Sequence, residues 1–261
     1  MSATLRGAQK PKLTFIRQFL RPFQVEESFS VQKPEKPQRN LATETDLNVV
    51  VHDITVRDVR NLREALADAT NFEQKLSVNE EVIHGIPGRR IVRNGDIVSI
   101  DLCATYKGFV GDCAGTYACG EVSEEARKLM EVTRQAFFEG LRYAKAGNRI
   151  FDIGGAVQDC VESFGFSVVR DFVGHGIGRE MHEAPEVPNY RPSHGRRPNP
   201  RLVPGMTICI EPMVCASDWH VNILRDGWTV VTVDRSLAAH YENTVLITDG
   251  EPEILTMAED L

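Results

Sequence analysis

A carboxylate in the middle of an apolar strand constrains this chain more than any other feature. Asp101 stands inside Ser99-Ile100-Asp101-Leu102, within a run from Asp96 to Thr105 whose apolar residues mark a buried strand. An ionised carboxylate there is costly unless something compensates it. Tyr106-Lys107-Gly108 reads as a turn, and Phe109 to Ala118 as a returning strand carrying Asp112 in Gly111-Asp112-Cys113. The two acids are nearly equidistant from the turn, so the hairpin is expected to set them side by side. Facing carboxylates repel, and a bound cation removes the repulsion. Taken alone, each aspartate also fits an edge-strand surface residue or a capping residue.

The same pattern recurs further along. Glu211 ends the apolar run Thr207-Ile208-Cys209-Ile210 and precedes Pro212. Glu242, in His240-Tyr241-Glu242-Asn243-Thr244, enters a last strand read from Tyr241 to Thr248. His175 lies in Gly174-His175-Gly176-Ile177-Gly178, where glycines allow a tight bend and close approach to a ligand. A lone histidine there serves a structural role as readily. Four carboxylates and one imidazole at strand ends and middles form a joint signal for Mn, Fe(II), Co or Zn. Two such cations about 3.5 Å apart, bridged by carboxylates, hold a hydroxide and polarise a carbonyl.

Helices are expected over Val56 to about Phe72, from Val59, Leu62, Leu66 and Ala67 at helical spacing, and over Ser123 to Ala146, with Ser123 as cap, Glu124 and Glu125 in the first turn, and Gly147 as stop. A shorter helix fits Asp152 to Phe164. Strands are expected at Ser167 to Val173, at Met206 to Ile210, and at Val221 to Val233, the last folded into a hairpin by Asp226-Gly227. Helices and antiparallel strands are mixed, so the class is α+β.

The formal net charge of −7 argues against a nucleic-acid partner. No apolar run approaches about 18 residues, so no membrane-spanning segment is expected. The six cysteines form no C-x-x-C pair and read as reduced thiols of a cytoplasmic compartment rather than a zinc site. Residues 1–24 carry Arg6, Lys10, Lys12, Arg17 and Arg21 without an acid, which fits a poorly ordered basic tail or an organellar transit peptide. With the polar linker that follows, residues 1–45 are expected to lie outside a catalytic domain spanning 46–261.

Several stretches carry a family resemblance. Gly174-His175-Gly176-Ile177-Gly178 followed by Met181-His182-Glu183 resembles the signature of the type I methionine aminopeptidases. So do Ser77-Val78-Asn79-Glu80-Glu81-Val82-Ile83-His84-Gly85-Ile86-Pro87, Ile210-Glu211-Pro212-Met213 and Asp226-Gly227-Trp228-Thr229. The resemblance runs in order from about Ser77 to Thr256 and implies the pita-bread fold, two pseudo-symmetric α+β halves around a metal pair. It implies that Asp101 chelates one cation, that Asp112 and Glu242 bridge, and that His175 and Glu211 hold the other. It makes His84 and His182 non-ligand histidines that contact substrate, and Trp228 a wall of the methionine pocket. Glu211 would accept the water proton and His182 would donate to the developing oxyanion.

The implied cofactors are two divalent cations, the implied substrates the N-termini of nascent polypeptides at the ribosome, and the implied state a monomer. Met181 stands where the family often has an aromatic pocket residue. The first half is truncated: a second helix and a Tyr-bearing pocket loop expected before Ser77 are missing. The five ligand positions would also suit a proline-directed aminopeptidase or dipeptidase of the same fold, and the truncation a non-catalytic peptide-binding homologue. His84 in its V-I-H-G-I-P context, the D-G-W-T hairpin and the complete ligand set favour the methionine enzyme.

Overall fold

The computed structural model describes residues 71–106, 108–193 and 198–256. The first structured stretch is a strand, β1 (Asn71–Val78), followed by β2 (Glu81–Ile83) and the long hairpin β3 (Ile97–Tyr106) and β4 (Phe109–Ala118). The helix expected over Val56 to Phe72 falls outside the described residues, except at its end, where residues 71 and 72 are in β1 rather than in a helix.

Two helices follow. The first, α1 (Glu124–Leu141), starts where the sequence indicates: the Ser123 hydroxyl accepts from the Ala126 amide at 3.1 Å, and Glu124 and Glu125 meet the positive end of the helix dipole. It stops short of Ala146, because residues 142–147 leave the helix through turns that end at Gly147, with φ +91°. The second, α2 (Ile150–Ser163), is held at its start by the Asp152 carboxylate, which accepts from the Arg149 amide at 2.8 Å. Gly140 of α1 lies so near Val157 that an added Cβ would come within 2.7 Å of its methyl, so the two helices are in close contact there.

Ten short strands follow among the described residues: β5 (Ser167–Val168), β6 (Gly174–Gly176), β7 (Glu183–Val187), β8 (Thr207–Ile210), β9 (Met213–Cys215), β10 (Val221–Ile223), β11 (Val230–Thr232), β12 (Ala238–His240), β13 (Glu242–Leu246) and β14 (Glu253–Ile254). The strand expected over Ser167 to Val173 is only two residues long, and β6 begins after it. The Asp226-Gly227 hairpin forms as expected, with Val221 opposite Thr232. Strands such as β2, β9 and β12 carry no alternating pattern of useful length, because three residues are too few to show a period of two.

The main sheet runs β1-β3-β4-β13-β8-β6-β7, with β14 alongside β13. One face packs on the helices. Ile208, Ile210, Val245 and Ile247 meet Phe137, Ile150 and Ile153 in a fully buried cluster, where each large side chain contributes about 1.5–3 kcal/mol. Because side chains alternate along a strand, this register turns Cys209, Thr244 and Glu242 to the other face.

Candidate metal and substrate site

That opposite face gathers the acids. Taken in the order in which the strands lie side by side, β3 brings Asp101, β4 Asp112, β13 Glu242, the end of β8 Glu211 and β6 His175. In sequence these residues are far apart; the antiparallel order makes them neighbours. Asp101 and Asp112 share the face but not a rung. Asp101 is opposite Ala114 and Asp112 opposite Cys103, so the two carboxylates are diagonal neighbours rather than a facing pair. The hairpin turn is tighter than equal spacing from Tyr106-Lys107-Gly108 implies, with Tyr106 opposite Phe109.

Asp112, His175, Glu242 and Cys209 each bring a ligand atom within 4.8 Å of one another, as do Glu211, His240 and Glu242. His175 Nε2 lies 3.5 Å from Glu211 Oε1. His175 Nδ1 is 2.9 Å from the Gly176 carbonyl; donation there leaves Nε2 as the free lone pair. The glycines on either side of His175 are required by packing. A Cβ on Gly174 would sit 2.4 Å from the Cys209 carbonyl oxygen, and one on Gly176 2.4 Å from that of Ala184.

The electrostatics are those of a cation site. Burial raises the carboxyls of Asp101, Asp112, Glu211 and Glu242, and their mutual repulsion raises the last three further. Asp112 reaches about 8. Asp112 Oδ1, Glu242 Oε1 and both ring nitrogens of His240 are buried without a hydrogen-bond partner. Orphaned acceptors among crowded acids are what a divalent cation satisfies, so the residues present fit one. The Cys209 thiol is pushed well above its usual range by burial and by Glu242, Asp112 and Glu211, so it stays protonated and is a poor ligand beside four carboxylates.

The non-ligand residues stand around this row. His182 packs on His175 with ring centroids 4.4 Å apart. His84 stacks on Trp228 at 5.3 Å and meets the edge of Phe172 at 5.9 Å. His84 has φ +60°, an uncommon backbone conformation for a non-glycine residue, held while Leu76 N donates to the Gly85 carbonyl and the Ser77 hydroxyl accepts from Gly85 N. Burial lowers His84 and His175 to about 4 and lowers His182 as well, so all three imidazoles are neutral at pH 7. Trp228 is half exposed at the hairpin tip, where the Asp226 carboxylate accepts from Trp228 N and Thr229 N. Met181 is found in the lining of a different cavity. It lines a cavity of about 190 Å³ with Cys103, Thr105, Val110 and Arg179, none of which belongs to the His84–Trp228–Phe172 group.

Three neighbours escaped the sequence reading. His240 is fully buried, neutral, and 3.7 Å from Glu242 and 3.9 Å from Glu211; its place two residues before Glu242 was the available signal. Asn189 holds the Glu211 carbonyl at 2.9 Å, and the Thr244 hydroxyl joins Asp112 N and O at 3.0 Å.

A row of acids and one histidine across an antiparallel sheet, flanked by neutral histidines, defines a metal-dependent hydrolase. The chain belongs to metallopeptidase family M24, whose model matches residues 26–249. Within that family the similarity is to methionine aminopeptidases. The enzyme of that name from Clostridium acetobutylicum is 57% identical over 185 residues, covering 70% of this chain and 72% of that protein. The crystal structure of methionine aminopeptidase from Thermotoga maritima superposes with a TM-score of 0.70 at 43% identity, covering 77% of this chain and 84% of that one. A prolidase from Pyrococcus furiosus, at 23% identity and a TM-score of 0.59, shares the fold. The fold is thus the pita bread expected from the sequence motifs. Family membership also establishes divalent-metal dependence. Among the described residues no helix is long and apolar enough to cross a membrane.

Proposed function

We propose that this chain removes the initiator methionine from nascent proteins by hydrolysing the first peptide bond, with two divalent cations held by Asp101, Asp112, His175, Glu211 and Glu242. The observation that carries the reading is the row itself: adjacent strands of one sheet supply all five side chains, in a chain 57% identical to a methionine aminopeptidase over most of its length. Oxygen-rich ligands with one imidazole suit Mn, Fe(II), Co or Zn. Cations bound there supply Lewis acidity and an activated water.

The chain's own groups do the rest. Glu211, fixed through its carbonyl by Asn189, accepts the proton of the attacking water. His182, neutral and beside His175, donates to the oxygen that gains charge on the substrate carbonyl. His84, held in its left-handed conformation against Trp228, contacts the substrate's first residue, and Trp228 is a wall of the methionine pocket.

Residues 46–261 form the catalytic unit and 1–45 a tail. The acting unit is a monomer, working in the cytoplasm where new chains leave the ribosome. Metal content together with hydrolysis of a Met-Ala-Ser peptide tests the reading. More than one metal per chain and release of free methionine support it; full metal loading with no release would leave a peptide-binding homologue.

A further inference from the structure

One cation is already part of the ligand row. Lys75 lies on β1 directly opposite Asp101 of β3, and its ammonium is 3.8 Å from Asp101 Oδ2. The Lys75 side chain is only 16% exposed and the Asp101 side chain 14% exposed, so the pair is poorly screened by water. The ammonium also lies 5.9 Å from the Trp228 ring centroid, which directs it inward, between the acids and the pocket wall. Its field reaches the rest of the site: it lowers the carboxyls of Asp101, Asp112 and Glu211 and the imidazoles of His84, His175, His182 and His240. Lys75 stands just ahead of Ser77, where the motif resemblance begins.

We propose that Lys75 is a built-in competitor for the divalent cation at the Asp101–Asp112 end of the row, weakening metal binding there. A cation approaching Asp101 must displace the ammonium from its partner, and the four-carbon stem, anchored on the adjacent strand, keeps the displaced charge within a Debye length of about 8 Å. Both effects oppose loading at that end. His175 and Glu211, at the far end of the row, are spared the direct contact. The proposal rests on the ligand assignment made above.

Manganese(II) binding to the chelator-stripped full-length protein tests it, by calorimetry and by the manganese electron-spin signal near neutral pH. The binding event lost in Asp101→Asn marks the Asp101 end. In Lys75→Met that event should tighten tenfold or more, while Lys75→Arg, which keeps the charge, should stay within about twofold of the parent. Lys75→Gln gives the same readout should the methionine variant misfold, as judged by circular dichroism. A Lys75→Met or Lys75→Gln protein that folds and binds no more tightly than the parent overturns the proposal. Unchanged manganese binding in Asp112→Asn and Glu242→Gln would overturn the ligand assignment itself, and the two failures are therefore distinguishable.

Discussion

Replacing Asp112 by asparagine should make the metal-free protein more stable while abolishing metal binding, and the size of the first effect follows from the site. Burial, and then the charge of Asp101, lift the Asp112 carboxyl from an ordinary 3.8 to about 8. Below about pH 4 the group is protonated in folded and unfolded chains alike and costs nothing. Between the two values the unfolded chain has released a proton that the folded chain keeps, so stability declines as pH rises. At about 1.4 kcal/mol per pH unit, the deficit at pH 7 is about 4 kcal/mol. Asparagine removes it, less the cost of burying an amide, about 1–3 kcal/mol unless its N–H groups find the neighbouring acids. A net gain of about 1–3 kcal/mol corresponds to several degrees of melting temperature in a chain of this size. Thermal melts of chelator-stripped parent and variant between about pH 4 and pH 8 should show a gain at the upper end that shrinks as pH falls and turns into a deficit at the lower, where only the cost of burying the amide is left. Added manganese should reverse the order, because only the parent is stabilised by binding. A metal-free variant that melts below the parent at neutral pH, or a gain that ignores pH, would refute the reasoning.

Turnover of a Met-Ala-Ser peptide should vanish in Asp112→Asn and Glu242→Gln, the proposed bridging positions, and fall to at most a trace in Asp101→Asn; substantial activity in Glu242→Gln would show that residue misassigned. Deleting residues 1–45, the proposed tail, should leave the rate on a short peptide nearly unchanged, and a large loss in a folded protein would mean that this segment completes the site. Selectivity for methionine should be weaker than in full-length relatives, since one lost apolar wall contact changes discrimination by about 1–3 kcal/mol, or about 10–200-fold. kcat/KM for matched peptides beginning with Met, Leu and norleucine measures it, and a sharp preference for Met over Leu would contradict the expectation.

What was legible in the sequence was set by local chemistry. Ser123 and its acidic first turn mark the start of α1 because a cap is a local hydrogen bond. Asp226-Gly227 marks its hairpin for the same reason, since one carboxylate closes the turn on Trp228 and Thr229. Asp101, Asp112, Glu211 and Glu242 stood out as acids in apolar strands, and all four lie on one face of the sheet. The diagonal placement of Asp101 and Asp112 was not legible, because a turn one residue tighter or looser moves every rung while leaving the strand pattern intact. His240 and Lys75 were missed for a related reason. Lys75 looks like an ordinary residue in its own strand, and only the pairing of β1 with β3 brings it to Asp101, while His240 reaches Glu211 only through the fold.

The strand order also separates two properties that are easily joined. The ligand row spans β3, β4, β13, β8 and β6, every one of which pairs on both sides within the main sheet. It therefore stands without anything that precedes β1. The pocket wall has no such support. Trp228 hangs on a two-strand ribbon whose other neighbour is β2, a three-residue strand, and His84 follows β2 directly. A change in what precedes β1 would thus leave the pairing of the row intact and act on the segment that orients His84 and Trp228. β1 is the edge strand of the main sheet among the described residues, and it meets the row with Lys75.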